Sequence, residues 1–462
     1  MNQQPGRTRV FRSINPATEA VVAEYAEMTP DEVEGRLALA ERAFRANRQQ
    51  PLERRSQQLL ALGALLRRER ESLAQRMTRE MGKPLGEAQA EVDKCVTGCE
   101  YFAHQGPSFL ADQPTPSDSP RSLVAFRPLG VVLAIMPWNY PLWQVIRFLA
   151  PALMAGNSAL LKHAPNCFGS ALALGALVDE AGFPEGSLGV ILTGTEPIEG
   201  LIADRRIRAV TLTGSDRAGS QVAQAAGRAV KKTVMELGGS DFFLVFPDAD
   251  LERAAQVGVA SRFQNCGQSC IAAKRFLLAE EIAQPFLERF LELVQGLKVG
   301  DPLEADTRLG PLAREDLRQT LHQQVQRTVQ AGAQRTLGGE VDTGRGYFYS
   351  PTVLLGVRPG MPAFDEETFG PVAAVTTFRG EEEGLRLANH ERYGLGGNLW
   401  TGDEERGLRL ARELDTGGVF INGMTHSDPR APFGGVKRSG YGRELHHFGI
   451  REFANIQTVW RP

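Results

Sequence analysis

The sequence predicts an α/β protein with two doubly wound domains, and three observations carry this prediction. From Gly130 onward, near-continuous apolar runs alternate with helical segments, a pattern typical of a parallel sheet covered by helices on both faces. The same alternation resumes after Gly239 and continues to about Asn422. A chain of 462 residues is also too long for one hydrophobic core. We therefore expect two large domains and a small appendage.

Helices dominate the N-terminal part of the chain. Thr29-Pro30-Asp31-Glu32 combines a capping box with proline at the first helical position, which predicts a helix that runs to about Ala46. Two further helical stretches are expected at about 52–81 and 85–104, and their runs of charge are interpreted as solvated faces. Residues 107–120 are rich in proline, serine and aspartate, so we expect them to form a connection.

Polar residues follow the predicted parallel strands at the points where those strands end. The strands are expected at 130–136, 158–162, 188–193, 207–212 and 233–237. Sheets of this kind bind ligands at the carboxyl ends of their strands. Pro137-Trp138-Asn139, Lys162 and Thr213-Gly214-Ser215 fall at those ends. We therefore expect a ligand site there, and we expect the stretch after Gly434 to return to this first domain.

Composition and charge exclude several classes of partner. The formal net charge of −3 gives no electrostatic reason to expect nucleic acid or an anionic membrane. Met1–Arg7 has no apolar core, so no secretory signal is expected, and no apolar run reaches transmembrane length. The five cysteines are an odd, sparse set, which indicates reduced thiols in a cytoplasmic protein. Cys95 and Cys99 have no second cysteine pair nearby, so we expect no metal site.

Cys270 is the candidate nucleophile of the chain. It ends the turn Gly267-Gln268-Ser269-Cys270, and the β-prone run Phe276-Leu277-Leu278 follows it. Small neighbours leave room for a substrate carbon to approach the sulfur, which reacts as a thiolate. For a lone cysteine, a buried structural role is the better interpretation.

Three further motifs favour the catalytic interpretation of Cys270. They are Pro137-Trp138-Asn139-Tyr140-Pro141, Glu236-Leu237-Gly238-Gly239 and Glu366-Glu367-Thr368-Phe369-Gly370-Pro371. In this order and at these separations, the four motifs resemble the aldehyde dehydrogenase superfamily. The resemblance runs from about Asn15 to Gly440. It looks closest to the bacterial succinate-semialdehyde dehydrogenases of the shorter, NAD(P)-using type.

The resemblance implies a domain plan for the two predicted α/β units. Residues 1–107 and 129–236 with 434–450 are expected to form the cofactor-binding domain, and residues 237–433 the catalytic domain. Residues 108–128 with 451–462 are expected to form a β oligomerisation arm, in which a strand near 121–127 pairs with Phe453–Trp460. Exposed strand edges favour cover by another subunit, so we expect a homodimer or homotetramer.

The resemblance also implies oxidation of an aldehyde to a carboxylic acid. Cys270 attacks the aldehyde carbon, and the side-chain amide of Asn139 with the backbone N–H of Cys270 stabilises the thiohemiacetal oxyanion. Glu236 then activates water to hydrolyse a thioester, and it can take the thiol proton earlier. Taken alone, Asn139 is equally well interpreted as a turn residue between two prolines, and Glu236 as a surface glutamate.

The cofactor site lacks the usual dinucleotide fingerprint. Gly214 and Gly219 lie five apart, and Ser215 is a plausible N-cap for a helix at about 218–229. By itself this is only how helices begin. The resemblance assigns cofactor contacts to Trp138, Lys162, Gly214, Ser215, Glu367 and Phe369.

One departure bears on the choice between NAD and NADP. NAD-preferring members of the family often carry a glutamate three residues after the lysine that corresponds to Lys162, and this carboxylate repels a 2′-phosphate. Here the position is Pro165. Lys162 could attract the extra phosphate instead. We expect use of both NADP and NAD, or a preference for NADP.

The substrate prediction depends on arginines, which bind carboxylates bidentately. In succinate-semialdehyde dehydrogenases an arginine eight residues after the asparagine of the motif binds the substrate carboxylate, and here that residue is Arg147, although a helix-surface arginine is the alternative. A second arginine six residues before the nucleophile is replaced by Gln264. Arg262 or Arg430 could substitute. Succinic semialdehyde is the first choice, and glutaric semialdehyde or a related ω-oxo acid is the alternative.

Two other classes of function compete with this interpretation. A CoA-dependent semialdehyde dehydrogenase does without the glutamate base, so Glu236 argues against it. A catalytically silent structural relative would lack the cysteine or the glutamate, and both are present. Cys266, four residues before Cys270, could form a reversible disulfide with it, or it is simply a small buried loop residue.

Overall fold

The structure is a computed structural model that describes residues 9–118, 121–341, 343–389 and 391–460. The N-terminal segment on which the expectation of no secretory signal rests, and the last two residues of the predicted arm, lie outside the described residues. Two parallel sheets and a small antiparallel sheet form the frame, which confirms the predicted α/β fold class with two doubly wound units and a β arm.

The first sheet has six strands. Their spatial order is Gly440–Tyr441, Lys232–Glu236, Ile207–Thr213, Val131–Met136, Ser158–His163 and Leu188–Ile191. All neighbours are parallel except the first pair, in which Gly440 lies opposite Glu236. The stretch after Gly434 therefore returns to this sheet, as predicted.

Alternate residues of the central strand face two separate cores. Val132 and Ala134 pack into one core, whereas Val131 and Leu133 pack into the other. Helices cover both faces, which is why the strands read as continuous apolar runs. The helices around this sheet are Pro30–Asn47, Leu52–Arg68, Arg70–Met81, Leu85–Phe109, Trp143–Ala155, Phe168–Glu180, Ile198–Ala203, Asp216–Arg228 and His446–Glu452, with a 3₁₀ turn at Pro165–Cys167.

Two predicted helix boundaries in the N-terminal part are wrong, whereas the predicted capping box is confirmed. Thr29 Oγ1 accepts from the Glu32 N–H, and the Glu32 carboxylate accepts from the Thr29 N–H. The predicted helix 52–81 breaks at Glu69, where ψ is 10°.

The next helix, Leu85–Phe109, runs through Pro107 instead of ending before it. Proline cannot donate to the carbonyl four residues earlier, which is that of Ala103. The Ser56 hydroxyl donates to this carbonyl oxygen at 2.8 Å. The helix therefore continues, and the predicted connection begins later.

The second sheet has seven strands, parallel except at one edge. Their spatial order is Gln334–Leu337, Thr352–Leu355, Val372–Phe378, Ala273–Ala279, Asp241–Val245, Gly397–Trp400 and Val419–Ile421, and the first of these is antiparallel to its neighbour. The helices around it are Leu251–Phe263, Glu280–Gln295, Glu315–Gln330, Pro362–Asp365, Gly380–Ala388 and Glu404–Ala411, with a 3₁₀ turn at Gln264–Gly267.

The small antiparallel sheet contains the strands Gln113–Pro114, Leu123–Pro128 and Ala454–Val459. Ile456 lies opposite Phe126, which confirms the predicted pairing of these two regions. Two minor ribbons complete the chain, one formed by Val10–Ile14 with Val21–Ala26 and the other by Tyr393–Gly394 with Val436–Lys437. Within the described residues, no helix is long and apolar enough to cross a membrane.

Candidate active site

Cys270 lies in a constrained loop between the helix Leu251–Phe263 and the strand Ala273–Ala279. The loop turns at Gly267, where φ is +72° and a side chain would collide with the carbonyl of Gly370. Only glycine fits a turn of this shape so close to another backbone. The loop therefore holds Cys270 at a fixed place where the strand begins.

A buried lysine, Lys274, holds the loop from the strand side. Its Nζ donates to the carbonyl oxygens of Ser269 at 2.9 Å and Cys270 at 2.7 Å. The same Nζ lies 3.7 Å from the carboxylate of Glu367. Sequence reasoning missed this residue, although a lysine at the start of a buried strand is an unusual signal. Lys274 thus joins the nucleophile loop to a predicted cofactor-binding residue.

Two cavities meet at Cys270. The substrate-side cavity has a volume of about 240 Å³ and is lined by Arg147, among others. The cofactor-side cavity has a volume of about 360 Å³ and is lined by the predicted cofactor residues Trp138 and Glu367, among others. Cys270 and Gln144 line both cavities. The sulfur therefore lies where two different molecules can reach it from two sides.

The charges around Cys270 set the state of its thiol. Burial raises the pKa of Cys270 to about 12, and the positive charges of Arg147 and Lys274 oppose this rise. The thiol is therefore protonated at rest, and a base must remove its proton before it can attack a carbonyl carbon.

Glu236 ends the strand that precedes the second sheet, and its carboxyl group is buried. Burial raises its pKa, the nearby Glu444 raises it further, and the charge of Arg147 lowers it. Within the described residues neither carboxyl oxygen makes a hydrogen bond. A side chain at Gly434 would come within 2.7 Å of one of these oxygens. Glu236 is therefore a loosely held carboxyl group of the kind a general base requires.

Asn139 is buried beside the nucleophile loop and lines the cofactor-side cavity. Its side-chain Nδ2 donates to the carbonyl of Gln268 at 3.1 Å. Asn265, which sequence reasoning missed, donates from its own Nδ2 to the backbone carbonyls of Asn139 (2.8 Å) and Gln268 (3.1 Å). Asn139 thus lies next to the loop with one amide hydrogen engaged and one left over.

All of the residues predicted to bind the cofactor except Pro165 line two cavities beside one helix, Asp216–Arg228. Ser215 caps this helix by accepting from the N–H of Ala218 at 3.3 Å, as predicted. The residues of the prediction that line the cofactor-side cavity are Trp138, Gly214, Ser215, Glu367 and Phe369. The Trp138 and Phe369 rings meet edge to face at 5.7 Å, and the Glu367 carboxylate accepts from the Gly239 N–H at 3.0 Å.

Lys162 lines a third cavity, of about 380 Å³, together with Ala218 of the same helix. Burial lowers the pKa of its ammonium group. Its Nζ makes no hydrogen bond within the part of the chain that the structure describes. Pro165 begins a 3₁₀ turn and is not among the residues that line this cavity. A buried cation without a described hydrogen-bond partner, beside the helix whose first turn Ser215 caps, fits the phosphate or ribose groups of a dinucleotide.

The three predicted substrate arginines have different surroundings. Arg147 lines the substrate-side cavity, but its guanidinium pairs with the buried carboxylate of Glu444. Arg262 is buried in the second core, where it donates to the carbonyl oxygens of Gly267 and Gly370. Arg430 is 78% exposed and pairs with Asp428.

Arg262 and Arg430 therefore do not fit the predicted role. Arg262 uses its donors to hold the backbone of the nucleophile loop, and neither residue lines the cavity next to Cys270. The second cation of that cavity is instead Lys94, which sequence reasoning missed. Lys94 lies on one face of the helix Leu85–Phe109 with Glu87 and Glu91. Helical spacing predicts that these residues share a face, but it does not show that the face lines a cavity instead of contacting solvent.

The remaining cysteines are unpaired. Cys266 is buried in the core of the second sheet, and its sulfur accepts from the Gly310 N–H at 3.1 Å. This placement favours the interpretation as a small buried residue over a redox switch. Among the described residues, no group of three or more histidine, cysteine, aspartate or glutamate side chains could hold a metal ion.

Cys270 lies at the junction of two cavities beside a parallel sheet, and the charge of Arg147 acts both on this thiol and on the buried carboxyl group of Glu236, which itself lines neither cavity. A thiol and a carboxyl base of this kind are typical of an enzyme that works through a covalent cysteine intermediate. Residues 3–459 match the aldehyde dehydrogenase family, and the chain belongs to this family. The predicted family membership is therefore confirmed, and with it the class of NAD(P)-dependent aldehyde-oxidising enzymes.

Two curated relatives are similar over nearly their whole length. Succinate semialdehyde dehydrogenase NAD(P)+ Sad of Escherichia coli is 49% identical, and the alignment covers 97% of each chain. A probable succinate-semialdehyde dehydrogenase NADP+ of a Synechocystis species is 48% identical over 97% of this chain and 99% of that one.

The fold is likewise similar to solved structures. Succinic semialdehyde dehydrogenase from Streptococcus pyogenes, in complex with NADP+ as the cofactor, superposes with a TM-score of 0.96 at 36% identity, covering 98% of this chain and all of that chain. Succinate-semialdehyde dehydrogenase from Burkholderia pseudomallei gives a TM-score of 0.94 at 36% identity, covering 98% of this chain and 94% of the other.

Proposed function

We propose that this protein catalyses the NAD(P)-dependent oxidation of succinic semialdehyde to succinate. The observation that carries the proposal is the substrate-side cavity, which combines the thiol of Cys270 with two cationic side chains, Lys94 and Arg147. A thiol reacts with an aldehyde, and a cation favours a substrate with a second, anionic end. The names of the curated relatives and solved structures support the same substrate.

The first step is attack by Cys270 on the aldehyde carbon. Glu236 accepts the thiol proton, and the sulfur forms a thiohemiacetal. The negative charge that develops on the aldehyde oxygen needs donors placed in advance. We assign this role to the second amide hydrogen of Asn139 and the backbone N–H of Cys270. Lys274 holds the loop in place because its Nζ donates to the backbone carbonyl oxygen of Cys270.

The second half of the reaction is hydrolysis. When bound, NAD(P) would supply a hydride acceptor, so that the thiohemiacetal on Cys270 would be oxidised to a thioester. Glu236 removes a proton from water, which attacks the thioester and releases the acid. A raised pKa makes this carboxylate a stronger base than an exposed glutamate. Because its oxygens make no hydrogen bonds to the described protein, it is free to serve both steps.

The cofactor assignment follows from the cavities. Ser215 and the helix end behind it would hold the phosphates, Lys162 the adenosine ribose or a 2′-phosphate, and Glu367 the nicotinamide ribose. Trp138 and Phe369 would form the walls of the nicotinamide site. Because Pro165 brings no carboxylate to the 2′ position, we propose use of both NADP and NAD.

The domain boundaries, the assembly and the location complete the proposal. We assign residues 1–107, 129–236 and 434–450 to cofactor binding, 237–433 to catalysis, and 108–128 with 451–462 to the arm. Ile456 and Trp460 on this arm are 61% and 56% exposed, which favours cover by a second subunit in a homodimer or homotetramer. The five unpaired cysteines favour the cytoplasm.

The test is NAD(P)H formation by the purified protein. Succinic semialdehyde, glutaric semialdehyde and butanal are each offered with NAD and with NADP, and Cys270→Ala is the blank. We expect kcat/KM to be highest for succinic semialdehyde. A higher value for butanal would overturn the proposed substrate class, and a higher value for glutaric semialdehyde would replace the substrate within that class.

A further inference from the structure

Gln144 is the residue that shares the junction of the two cavities with Cys270. Of the described residues, these two alone line both the substrate-side and the cofactor-side cavity. Gln144 is 2% exposed, and its side-chain oxygen Oε1 has no hydrogen-bond partner among the described residues. A buried acceptor without a partner is destabilising, so a ligand that donates to this oxygen would gain a strong contact.

The position of Gln144 is fixed by the start of its helix. The buried carboxylate of Glu91 accepts from the backbone N–H groups of Leu142 at 2.8 Å and Trp143 at 3.0 Å. The N–H of Gln144 itself donates to the carbonyl of Tyr140 at 3.1 Å. These bonds satisfy N–H groups that the first turn of a helix otherwise leaves free. The side chain of Gln144 therefore extends from a backbone that is held in place.

One face of this helix connects Gln144 with the base. Arg147 follows Gln144 by three residues, so the two side chains lie on the same face. The Arg147 guanidinium donates to Thr213 Oγ1 at 3.5 Å, and Thr213 is paired with Glu236 in the sheet. The charge of Arg147 also acts on both Glu236 and Cys270. Gln144 therefore lies on the helix face that is directed at the thiol and its base.

An amide oxygen accepts hydrogen bonds, and this property restricts its ligand. The aldehyde oxygen and the carboxylate of an ω-oxo acid have no hydrogen to donate, so neither can bind to Oε1 of Gln144. Two molecules of the reaction bring donors to the junction, namely the water that hydrolyses the thioester and the carboxamide group of nicotinamide.

The position of Gln144 on both cavities favours the water over the carboxamide. The attacking water must reach the acyl carbon on Cys270, where the two cavities meet. Water has two hydrogens, and the base Glu236 removes only one of them. In a buried site the second hydrogen needs another acceptor. The amide of Gln144 supplies one that stays neutral and does not compete with Glu236 for the proton.

We propose that Gln144 is a catalytic residue of the hydrolytic step, in which its Oε1 accepts a hydrogen bond from the attacking water and orients it toward the thioester on Cys270. Glu236 removes the other proton, the water oxygen bonds to the acyl carbon, and the carbon–sulfur bond breaks. The carboxylic acid leaves with the hydrogen that pointed to Gln144, and the Cys270 thiolate takes the proton back from Glu236. This inference rests on the proposed function, because it concerns the hydrolysis of the same thioester.

The test isolates hydrolysis from the steps before it. 4-Nitrophenyl acetate acylates Cys270 directly, because the sulfur displaces 4-nitrophenolate, and the acyl-enzyme is then hydrolysed without a cofactor. Gln144→Met keeps the size of the side chain and lacks the acceptor. We expect it to release the first equivalent of 4-nitrophenolate at the native rate. After removal of excess ester, its rate constant for hydrolysis of the acyl-enzyme should be about 10- to 100-fold below native.

Three further proteins serve as controls. Gln284→Met, which replaces an exposed glutamine, should keep both rates. Glu236→Gln should slow both acylation and hydrolysis, since the base serves both steps. Gln144→Asn, whose amide is one methylene shorter, covers the case in which the methionine variant does not fold. It should also acylate at the native rate and hydrolyse slowly, because its oxygen no longer reaches the water.

An added nucleophile gives a second readout. Hydroxylamine attacks a thioester without a base and releases a hydroxamic acid and the free thiol. It should therefore raise the rate at which acylated Gln144→Met loses its acyl group to nearly that of the native enzyme treated in the same way. With succinic semialdehyde and NADP, the variant should show a lowered kcat and an unchanged KM for NADP.

The outcomes distinguish this inference from the proposed function. If the native enzyme prefers butanal, the proposed substrate fails and the role of Gln144 stands, because the ester test does not depend on the aldehyde. If the native enzyme prefers succinic semialdehyde but Gln144→Met hydrolyses its acyl group at the native rate, the inference is overturned and the proposed function stands. A native rate of hydrolysis with a raised KM for NADP would assign Oε1 to the nicotinamide carboxamide instead.

Discussion

The two sides of Cys270 are built in different ways. The cofactor-side cavity takes most of its lining from short contiguous segments, such as Pro137–Asn139 and Thr213–Ser215, which lie at or directly after the ends of parallel strands. The substrate-side cavity takes its lining from the N-terminal halves of two helices, from the nucleophile loop and from a loop near residues 424–433. The residues proposed for the chemistry therefore lie in compact motifs, whereas those proposed to bind the substrate come from segments that are far apart in the chain.

The electrostatics of the two sides differ as well. On the cofactor side, Lys274 and Glu367 are tied to backbone groups of the loop and of Gly239, so charge serves to fix geometry. On the substrate side, no carboxylate of the described residues forms an ion pair with Lys94, although the charges of Glu91 and Asp428 act on it. The protein thus balances the charges beside the cofactor-side cavity itself, whereas Lys94, like Lys162 in the third cavity, is left without an ion pair in the part of the chain that the structure describes.

The largest effect is expected at Cys270, because it belongs to both sides. Cys270→Ala should lower kcat by about 10⁴-fold or more for every aldehyde, since no covalent intermediate can form. NADPH binding, followed by fluorescence, should persist because the cofactor cavity keeps its other walls. A variant within tenfold of native activity would show that another group attacks the aldehyde.

The next largest effect is expected at Glu236. Glu236→Gln should lower steady-state kcat by about 10²- to 10⁴-fold, because the thioester is no longer hydrolysed with the help of a base. Because Glu236 also takes the thiol proton, formation of the first equivalent of NAD(P)H should slow as well, so no fast burst should precede the steady state. In the native enzyme kcat should rise with pH, since the carboxylate is the active form and burial raises its pKa. The glutamine variant should lack this rise, and a native kcat in that variant would contradict the assigned role.

A smaller loss is expected at Lys274, whose contacts serve the loop between the two cavities. Lys274→Met leaves the carbonyls of Ser269 and Cys270 without this donor, so kcat/KM should fall about 10- to 100-fold for all aldehydes. The pKa of Cys270, measured from the pH dependence of inactivation by iodoacetamide, should rise because a nearby positive charge is lost. An unchanged thiol pKa would limit Lys274 to a packing role.

The smallest effect is expected at Lys162. This residue lines a cavity away from Cys270, so its substitution should change cofactor binding and leave the substrate side unaffected. Lys162→Met should raise KM for NADP about tenfold, and KM for NAD less, since a charge-assisted contact to the extra phosphate is lost. KM for succinic semialdehyde should stay near its native value. Equal effects on the two cofactors would place the ammonium on the ribose instead of the 2′-phosphate.

The same comparison explains what could be predicted from the sequence. The strands, the N-cap at Ser215 and the walls of the cofactor-side cavity follow from local patterns and from the motifs that resemble the family. By its position in the chain, Arg262 could replace the second carboxylate-binding arginine of the family. Its side chain instead points into the core, where it donates to the backbone carbonyls of Gly267 and Gly370. Lys94 could not be found, because a lysine on an amphipathic helix normally faces water.

The C-terminal stretch has a consequence for how the enzyme is made. Gly440 pairs with Glu236, Glu444 pairs with Arg147, and the carbonyl of Phe453 accepts from the Asn157 side chain at 3.0 Å. During synthesis, Glu236 and Cys270 therefore leave the ribosome long before residues 440–453, which pack against this part of the protein. A nascent chain folds its early parts first. It would carry Cys270 without a completed site, so the reactive thiol would become competent only after residues 440–453 have been made.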